Sequence, residues 1–598
     1  MLNFPKIHLL VLVLTAFLFY HNSIPNECAL DDILVLKENS FVKEGISGIP
    51  DILSHDVFYG ATMSESKQLS WRYRPLSLIS FAIEYPVFKD NWKAYHLMNI
   101  LYYALLGIVL YRFVLRWIFP QRPFASFVLT LFFICSPVHP EVVANIKSRD
   151  EIFALLFLIL HLGAALQYSI ERKRSALIWA ISFLFLALIS KESNVLALVI
   201  TPVIIYTANK LDVKKSFFVS LPFMIVGILF IVMRLWISPI PEAQYNIMND
   251  PYILADVWQK TATVFFILMK YLHLMTFPDT LIFDYGYNHI PYQSMKAPTV
   301  IISALLHVIL LSWAIVGTLK RNSAAMFMLF YLMGIFMLSN VLLLVGPPMA
   351  ERFLFTPGFF FLASIAILLD KLNENKYVEK YRKTLPILAL LYVFFSFSIV
   401  HARNPEWKNN STLYFADVKK APNSFRIQAF CGMTLLSDSD EAIDSVSRDK
   451  IIRDAIVHFE KAYLIYPDFG PMYQDWGACY QRLGNIDSAE WAWARSKVLM
   501  PESRFHQQNA EIISNMRYNA CVKEYQRVKA NMNIPELLAI QRRCVFYKPK
   551  LAPSWLLLGK LYFVNHQQDS AVICWKKTYE IDPQSKEAGD LLNQYDSR

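Results

Sequence analysis

Long apolar blocks fill the first two thirds of this chain, and they restrict its fold more than any other feature. A helix needs about 20 apolar residues to cross the hydrocarbon core of a bilayer. Twelve segments approach that length, at roughly 4–21, 95–118, 124–142, 151–170, 175–190, 193–208, 216–238, 259–277, 298–319, 324–345, 353–370 and 385–400. Beyond His401 the blocks stop and a polar, helix-rich stretch begins. The chain therefore reads as all-α, with a polytopic membrane bundle over 1–400 followed by a water-exposed domain over 401–598. The first block has only Lys6 ahead of it and no small-residue cleavage site, which is the pattern of a retained anchor rather than a signal peptide.

Basic residues orient the bundle. Lys and Arg number 58 against 48 Asp and Glu, a net charge of +10, and much of the excess lies in short loops between apolar blocks. That distribution marks topology and gives no sign of nucleic-acid binding. The clusters are Arg112/Arg116/Arg122, Arg172–Lys173–Arg174, Lys210/Lys214/Lys215, Lys320–Arg321 and Lys371/Lys376/Lys380/Arg382/Lys383. All should face the cytoplasm. Strict alternation from an inside N-terminus satisfies the first three. The last two are satisfied only if one crossing between Trp236 and Pro298 is removed. The segment 259–277 carries Lys270 and His273 and ends at Phe277-Pro278, so it is read as re-entrant or interfacial. About eleven crossings remain, and everything after His401 lies outside. Residues 21–94 form a first outer loop, and 239–297 a second.

The C-terminal third repeats itself. Pro467 to Pro501 spans 34 residues, as does Pro549 to Pro583. Gly477 matches Gly559, Tyr480 matches Tyr562, Ala489 matches Ala571 and Trp493 matches Trp575. This is the tetratricopeptide pattern, in which small residues let paired helices approach and large ones fill the space between them. An earlier unit fits from Pro422 through Gly432, Ala455 and Phe459, with 437–449 as an acidic insert, and 502–548 fits only as a degenerate unit. Such repeats form an α-solenoid that binds extended peptides or partner proteins. The seven cysteines show no metal-ligand spacing and read as buried thiols.

Polar groups beside apolar blocks are costly and need a reason. Five clusters fall on the outer side. Asp31-Asp32 pairs two carboxylates, each raising the other's pKa, so that one can serve as a general base; a solvated loop or helix cap is the plain alternative. Arg72-Tyr73-Arg74-Pro75, with Tyr95-His96 and Asn99, could equally be interfacial snorkelling. The run from Ser136 to Glu151 holds His139, Glu141, Lys147, Arg149, Asp150 and Glu151, too many ionisable groups for a connector. Lys191-Glu192 and Glu351-Arg352 each pair opposite charges at a span end. They are either self-neutralised ion pairs or cations kept for a phosphate. Together the clusters suit a lipid-phosphate-linked sugar, whose phosphate needs cations and whose acceptor hydroxyl needs a base. No nucleotide-binding Gly-rich loop is present in the sequence.

These stretches resemble the transmembrane and tetratricopeptide-repeat (TMTC-type) family of protein O-mannosyltransferases, within the GT-C class of membrane glycosyltransferases. The resemblance runs through LDDILVLKENSFV at 30–42, HDVFYG at 55–60, RYRPLSLISF at 72–81, YHLMNIL at 95–101, SPVHPEVVANIKSRDE at 136–151, SKES at 190–193, KYLHLMTFPDTLIFDYGYNHIP at 270–291, AERFLFTP at 350–357 and RNPEWKNNSTLY at 403–414, and then the repeats. It implies transfer of a sugar, mannose by analogy, from a polyprenyl- or dolichyl-phosphate carrier to Ser or Thr of proteins. It also implies that Asp31 or Asp32, with Asp31 favoured, takes the acceptor's proton. His139, Glu141 and Asp150 would shape the sugar pocket, and Arg149 would be a further substrate-binding residue. Lys191, Glu192, Glu351 and Arg352 would bind substrate, with Lys191 and Arg352 on the phosphate, and Arg74 would support the first loop. A divalent metal is compatible with such a site but not called for by it. Two features depart from the family. The repeat domain is short, and Ala144–Asp150 reads ANIKSRD where a glycine-rich turn is usual. The expected setting is a bacterial inner membrane with periplasmic repeats, the alternative being an endoplasmic reticulum membrane with lumenal repeats.

Two other readings compete. One is a non-enzymatic membrane-anchored repeat scaffold for envelope protein complexes. The other is a transporter of lipid-linked substrates, but residues 1–200 and 201–400 show none of the internal symmetry common among transporters.

Overall fold

The computed structural model of the chain describes residues 5–62, 72–239, 247–248, 250–342, 345–373, 385–531 and 533–596. The regular structure among the described residues is helical, apart from one isolated β-bridge between Tyr287 and Ile290. They form two compact units, Met1–Gln428 and Ala429–Arg598.

Each of the eleven expected crossings is a helix. Eight are long and apolar enough to cross a membrane: Lys6–Ser23, Trp92–Ile118, Arg149–Glu171, Glu192–Asn209, Val213–Ile237, Pro298–Leu319, Glu351–Leu372 and Ile387–Lys408. Pro123–Ile134, Arg174–Ser190 and Ser323–Met337 are shorter apolar helices. The protein is a multi-pass membrane protein. Its outer helices present to their surroundings the side chains that a soluble protein would hide. Val213–Ile237 exposes Ile225, Ile228, Leu229 and Val232, and Pro298–Leu319 exposes Ile301, Ile302, Leu305 and Val308. Faces that apolar belong against lipid. Of the last basic cluster, Lys376, Lys380, Arg382 and Lys383 lie outside the described residues.

Three elements differ in detail from the sequence reading. The segment expected to double back is one unbroken helix, Val257–Thr276, opened by a capping box between Asp256 and Gln259. It does not reverse within itself, so the re-entrant reading does not hold. The first outer loop contains an apolar helix, Pro75–Phe88, too short to stand out as a span. In the segment 124–142 the long helix covers only Pro123–Ile134, and a separate single turn, Pro140–Val143, follows it. Pro137 and Pro140 lack the N–H that would continue it. Twelve residues rise about 18 Å, well short of the ~30 Å apolar core. The polar turn that follows therefore lies inside the bundle and not above it, and every residue from Phe133 to Leu156 is buried.

In the second unit the two 34-residue repeats fold alike. Gly470–Arg482 pairs with Ile486–Leu499, and Ala552–Val564 pairs with Gln568–Ile581. Gly477 faces Trp493 and Gly559 faces Trp575 so closely that a Cβ on either glycine would lie 2.4 Å from the indole. Tyr473 Oη donates to Pro467 O, and Trp555 Nε1 at the matching position donates to Pro549 O, each at 2.8 Å. All seven cysteines are free and buried.

Candidate active site

The first outer loop reaches the polar turn through Asp32. Its Oδ2 accepts the Ala29 N–H at 3.1 Å and its Oδ1 accepts the Lys147 N–H at 2.7 Å. Both oxygens are thus engaged with backbone, and the residue is buried. Burial pushes its carboxyl up to about 7, while the N–H bonds from Lys147 and Ala29 pull the other way. Asp31 is its open neighbour. It is partly exposed, it follows Leu30 in a left-handed conformation (φ 53°), and its charge acts on Arg72, Lys147 and Arg352.

The turn itself is built by Asn99 and Asn145. Asn99 Nδ2 donates to the carbonyls of Asn145 and Ile146, and Asn145 Oδ1 accepts from the backbone and hydroxyl of Ser148. This brings Lys147 Nζ to 3.3 Å from Asp150. Arg74 donates to Asp150 at 2.8 Å and forks onto Glu192 with two further bonds of 2.8 Å. Those carboxylates hold the Arg74 guanidinium well above its ordinary range against the opposing effect of burial, whereas burial draws Lys147 down.

The two adjacent charge pairs of the sequence exchange partners. Successive residues at a helix start point about 100° apart, so neighbours in sequence do not face each other. Lys191 pairs with Glu151, and Glu192 with Arg74. Arg352 pairs with Glu141, whose Oε2 also accepts the Arg352 N–H at 2.8 Å. Glu351 turns away and accepts from the Ile282 N–H at 2.7 Å and from Tyr285 Oη at 3.0 Å. It fastens the second outer loop.

The structure therefore gathers Asp31, Arg74, Glu141, Asp150, Lys191, Glu192 and Arg352 around one region. Arg149 and His139 it does not. Arg149 is fully buried, bonded to Asn99, Ser80 and Glu84 and lying 4.3 Å over the Phe81 ring. His139 bonds Tyr103 Oη through Nδ1 at 2.8 Å and packs against Phe133 and Phe355. Both build the scaffold of the turn. Conversely, Lys147 and Glu151, which carried no assigned role, are central. Their only sequence signal is their place in the crowded run 136–151.

A narrow cleft adjoins the cluster. Glu151, Lys191 and Arg352 line it at the starts of their helices, and Leu158, Ile200 and Phe360 line it two turns or more further along. Arg352 is the most open of the paired cations, its side chain 24% exposed against 6% for Lys191 and 10% for Arg74. The arrangement is amphiphilic, with cations at one end and hydrocarbon along the rest. Among the described residues no group of three or more His, Cys, Asp or Glu side chains is placed to hold a metal ion.

No protein-family model matches the chain. It is 26% identical over 438 residues to a Caenorhabditis elegans protein named as a protein O-mannosyl-transferase, covering 72% of this chain and 60% of that one. It is 21% identical over 618 residues to human protein O-mannosyl-transferase TMTC3, covering 97% of this chain and 64% of the relative. Human protein O-mannosyl-transferase TMTC2 aligns at 26% identity over 46% of this chain and 34% of its own. The chain thus spans less than two thirds of the length of these relatives.

Proposed function

We propose, because the chain belongs to the TMTC-type family, that it is a membrane glycosyltransferase moving a mannosyl group from a polyprenyl-phosphate carrier to Ser and Thr hydroxyls of proteins on the extracytoplasmic side. The observation that carries this reading is the placement of Asp31. Asp31 follows the left-handed Leu30 beside the backbone-bound Asp32, and its charge acts on Arg352, the most open cation of a cleft that Glu151 and Lys191 also line.

The lipid chain occupies the apolar length of the cleft, and its phosphate lies against Arg352 and Lys191. The sugar then extends toward Asp31. As the acceptor oxygen bonds to the anomeric carbon, Asp31 takes the hydroxyl proton. The bond from that carbon to the phosphate oxygen breaks, and the departing polyprenyl monophosphate keeps the electron pair. Its added negative charge is met by Arg352 and Lys191. Both cations are paired with Glu141 and Glu151, so the donor phosphate competes with those carboxylates for them. Attack opposite the leaving phosphate inverts the anomeric centre. Arg74, Lys147, Asp150 and Glu192 form the wall that holds the acidic loop and the turn together. The tetratricopeptide repeats of the second unit bind the acceptor or a partner protein.

The test is sugar transfer in membranes, with radiolabelled polyprenyl-phosphate mannose as donor and total envelope protein as acceptor. Labelling by the wild type that Asp31→Asn abolishes, with expression retained, supports the reading. Absence of labelling with every polyprenyl-phosphate sugar tried would sink it and leave the scaffold reading.

A further inference from the structure

The acidic loop is held from a place that the chemistry does not touch. Leu30, directly before Asp31, adopts φ 53°. An L-residue with a side chain is strained in that conformation, so other contacts must maintain it. On the site side, Ala29 is fixed at both ends, its N–H on Asp32 and its carbonyl accepting Asn145 Nδ2 at 3.3 Å. The Leu30 N–H is directed elsewhere and donates to Asn410 Oδ1 at 2.6 Å, across 380 residues of chain.

Asn410 belongs to a run that laces the segment leading to the acid. The Glu27 N–H donates to Lys408 O at 2.8 Å, and Asn409 Nδ2 donates to Glu27 Oε2 at 3.0 Å. Asn26 Nδ2 donates to Asn404 O at 2.9 Å, and Asn404 Nδ2 reaches Phe19 O and Asn22 Oδ1 at 2.8 Å. Asn410 is itself rigidly set. It opens the helix Asn410–Lys420, which is capped by the reciprocal bonds of Asn409 and Thr412. That helix is anchored by Asp417, which accepts the Phe283 N–H at 2.6 Å and pairs with Arg403.

We propose that Asn410 is a positioning residue for Asp31: by holding the Leu30 N–H it maintains the left-handed turn that aims the acid. The role rests on the glycosyltransferase reading. Asn410 acts through Leu30 and belongs to neither the charged cluster nor the cleft, so its loss leaves the phosphate cations where they are.

Three proteins test this in detergent: wild type, Asn410→Ala, and Asn410→Asp, which keeps an oxygen where Oδ1 lies. Asn410→Ala should lower kcat about 10-fold or more, because a small misplacement of a reacting group is costly. KM for polyprenyl-phosphate mannose should stay within about twofold of wild type, and Asn410→Asp should recover most of kcat. Cys28, buried two residues before Leu30, reports the loop independently of turnover. Its maleimide modification, followed by peptide mass spectrometry, should quicken in Asn410→Ala and not in Asn410→Asp. Unchanged kcat in Asn410→Ala overturns the proposal, whatever Cys28 does, and so does a loss that Asn410→Asp fails to recover. If the wild type transfers no sugar, the glycosyltransferase reading fails instead, and Cys28 alone then decides whether Asn410 holds the turn.

Discussion

Asp32 accepts the Lys147 N–H at 2.7 Å, joining the first outer loop to the polar turn across 115 residues of chain. This bond separates the duties of two adjacent carboxylates. Asp32 holds structure, and on the proposed reading its neighbour does the chemistry. Asp31→Asn should lower kcat by about 10²–10⁴-fold, the range of a lost general base, with little change in melting temperature. Asp32→Asn puts an amide N–H where an oxygen now accepts from backbone. It should cost about 1–3 kcal/mol of stability, the penalty of an unsatisfied buried group. Thermal scans and single-turnover transfer on the two variants check the division. Equal melting temperatures would refute it.

The same residue makes stability depend on pH. Burial raises the Asp32 carboxyl from 3.8 to about 7. Between those values the folded protein keeps a proton that the unfolded chain has released. The stabilisation from this group is therefore complete below about pH 4 and is lost as pH rises through about 7. In detergent, wild type should lose melting temperature from pH 4 to pH 7 more steeply than Asp32→Asn, which carries no such proton. Parallel curves for the two proteins would remove Asp32 as the source.

Arg74 is the keystone of the wall, since one guanidinium bridges Asp150 and Glu192. Removing it leaves two carboxylates in a site where Asp150 is only 2% exposed. Breaking a buried pair from one side costs about 3–5 kcal/mol. Arg74→Ala should accordingly fail to accumulate or should melt far below wild type. Arg74→Lys keeps the charge but not the fork, and should fall between the two. Expression level and melting temperature across the three proteins provide the measurement.

Eight of the expected crossings were readable as long apolar helices because bilayer thickness sets a minimum length, whereas Pro123–Ile134, Arg174–Ser190 and Ser323–Met337 fall short of it and were readable only as apolar helices. Pro75–Phe88 escaped that rule, being too short and carrying Glu84 and Pro86 in its last turns. The clusters of the site could also be read, since charge beside apolar blocks is conspicuous. Their pairing could not. Arg74 and Glu192 lie 118 residues apart, and Glu141 and Arg352 lie 211 apart. Sequence adjacency suggested Lys191 with Glu192 and Glu351 with Arg352, and helix geometry divides both couples. The duty of Asn410 was equally hidden, because one asparagine of the pair Asn409-Asn410 carries no signal until its partner at Leu30 is known.

In the second unit, close approach of paired helices depends on two glycines. A Cβ at Gly477 would meet Trp493 Cδ1 and Nε1 at 2.4 Å, and Trp493 Nε1 donates to Gln474 O at 3.0 Å. Gly477→Val must therefore displace the indole and break that bond. Overpacking of this kind costs about 1–3 kcal/mol. Limited proteolysis of the full chain should show faster cleavage within 429–598, while Cys28 modification in the first unit stays at the wild-type rate. Unaltered proteolysis would mean that the repeat tolerates a separation the structure does not show.

Arg352 tests the donor end of the cleft. It is the most open of the paired cations, and Glu141 holds it from both its side chain and its backbone N–H. Arg352→Gln keeps much of the volume and the backbone bond to Glu141 but removes the charge. A charge-assisted hydrogen bond contributes about 1.5–3 kcal/mol. KM for polyprenyl-phosphate mannose should therefore rise about 10- to 100-fold. The rise should come with weaker inhibition by polyprenyl monophosphate, because product and donor share the phosphate. The fall in kcat should be smaller than that of Asp31→Asn, since Lys191 remains beside the leaving group. A substitution that lowered kcat alone, with donor KM and product inhibition intact, would place Arg352 away from the phosphate and shift donor binding to the Arg74 and Lys147 side of the cluster.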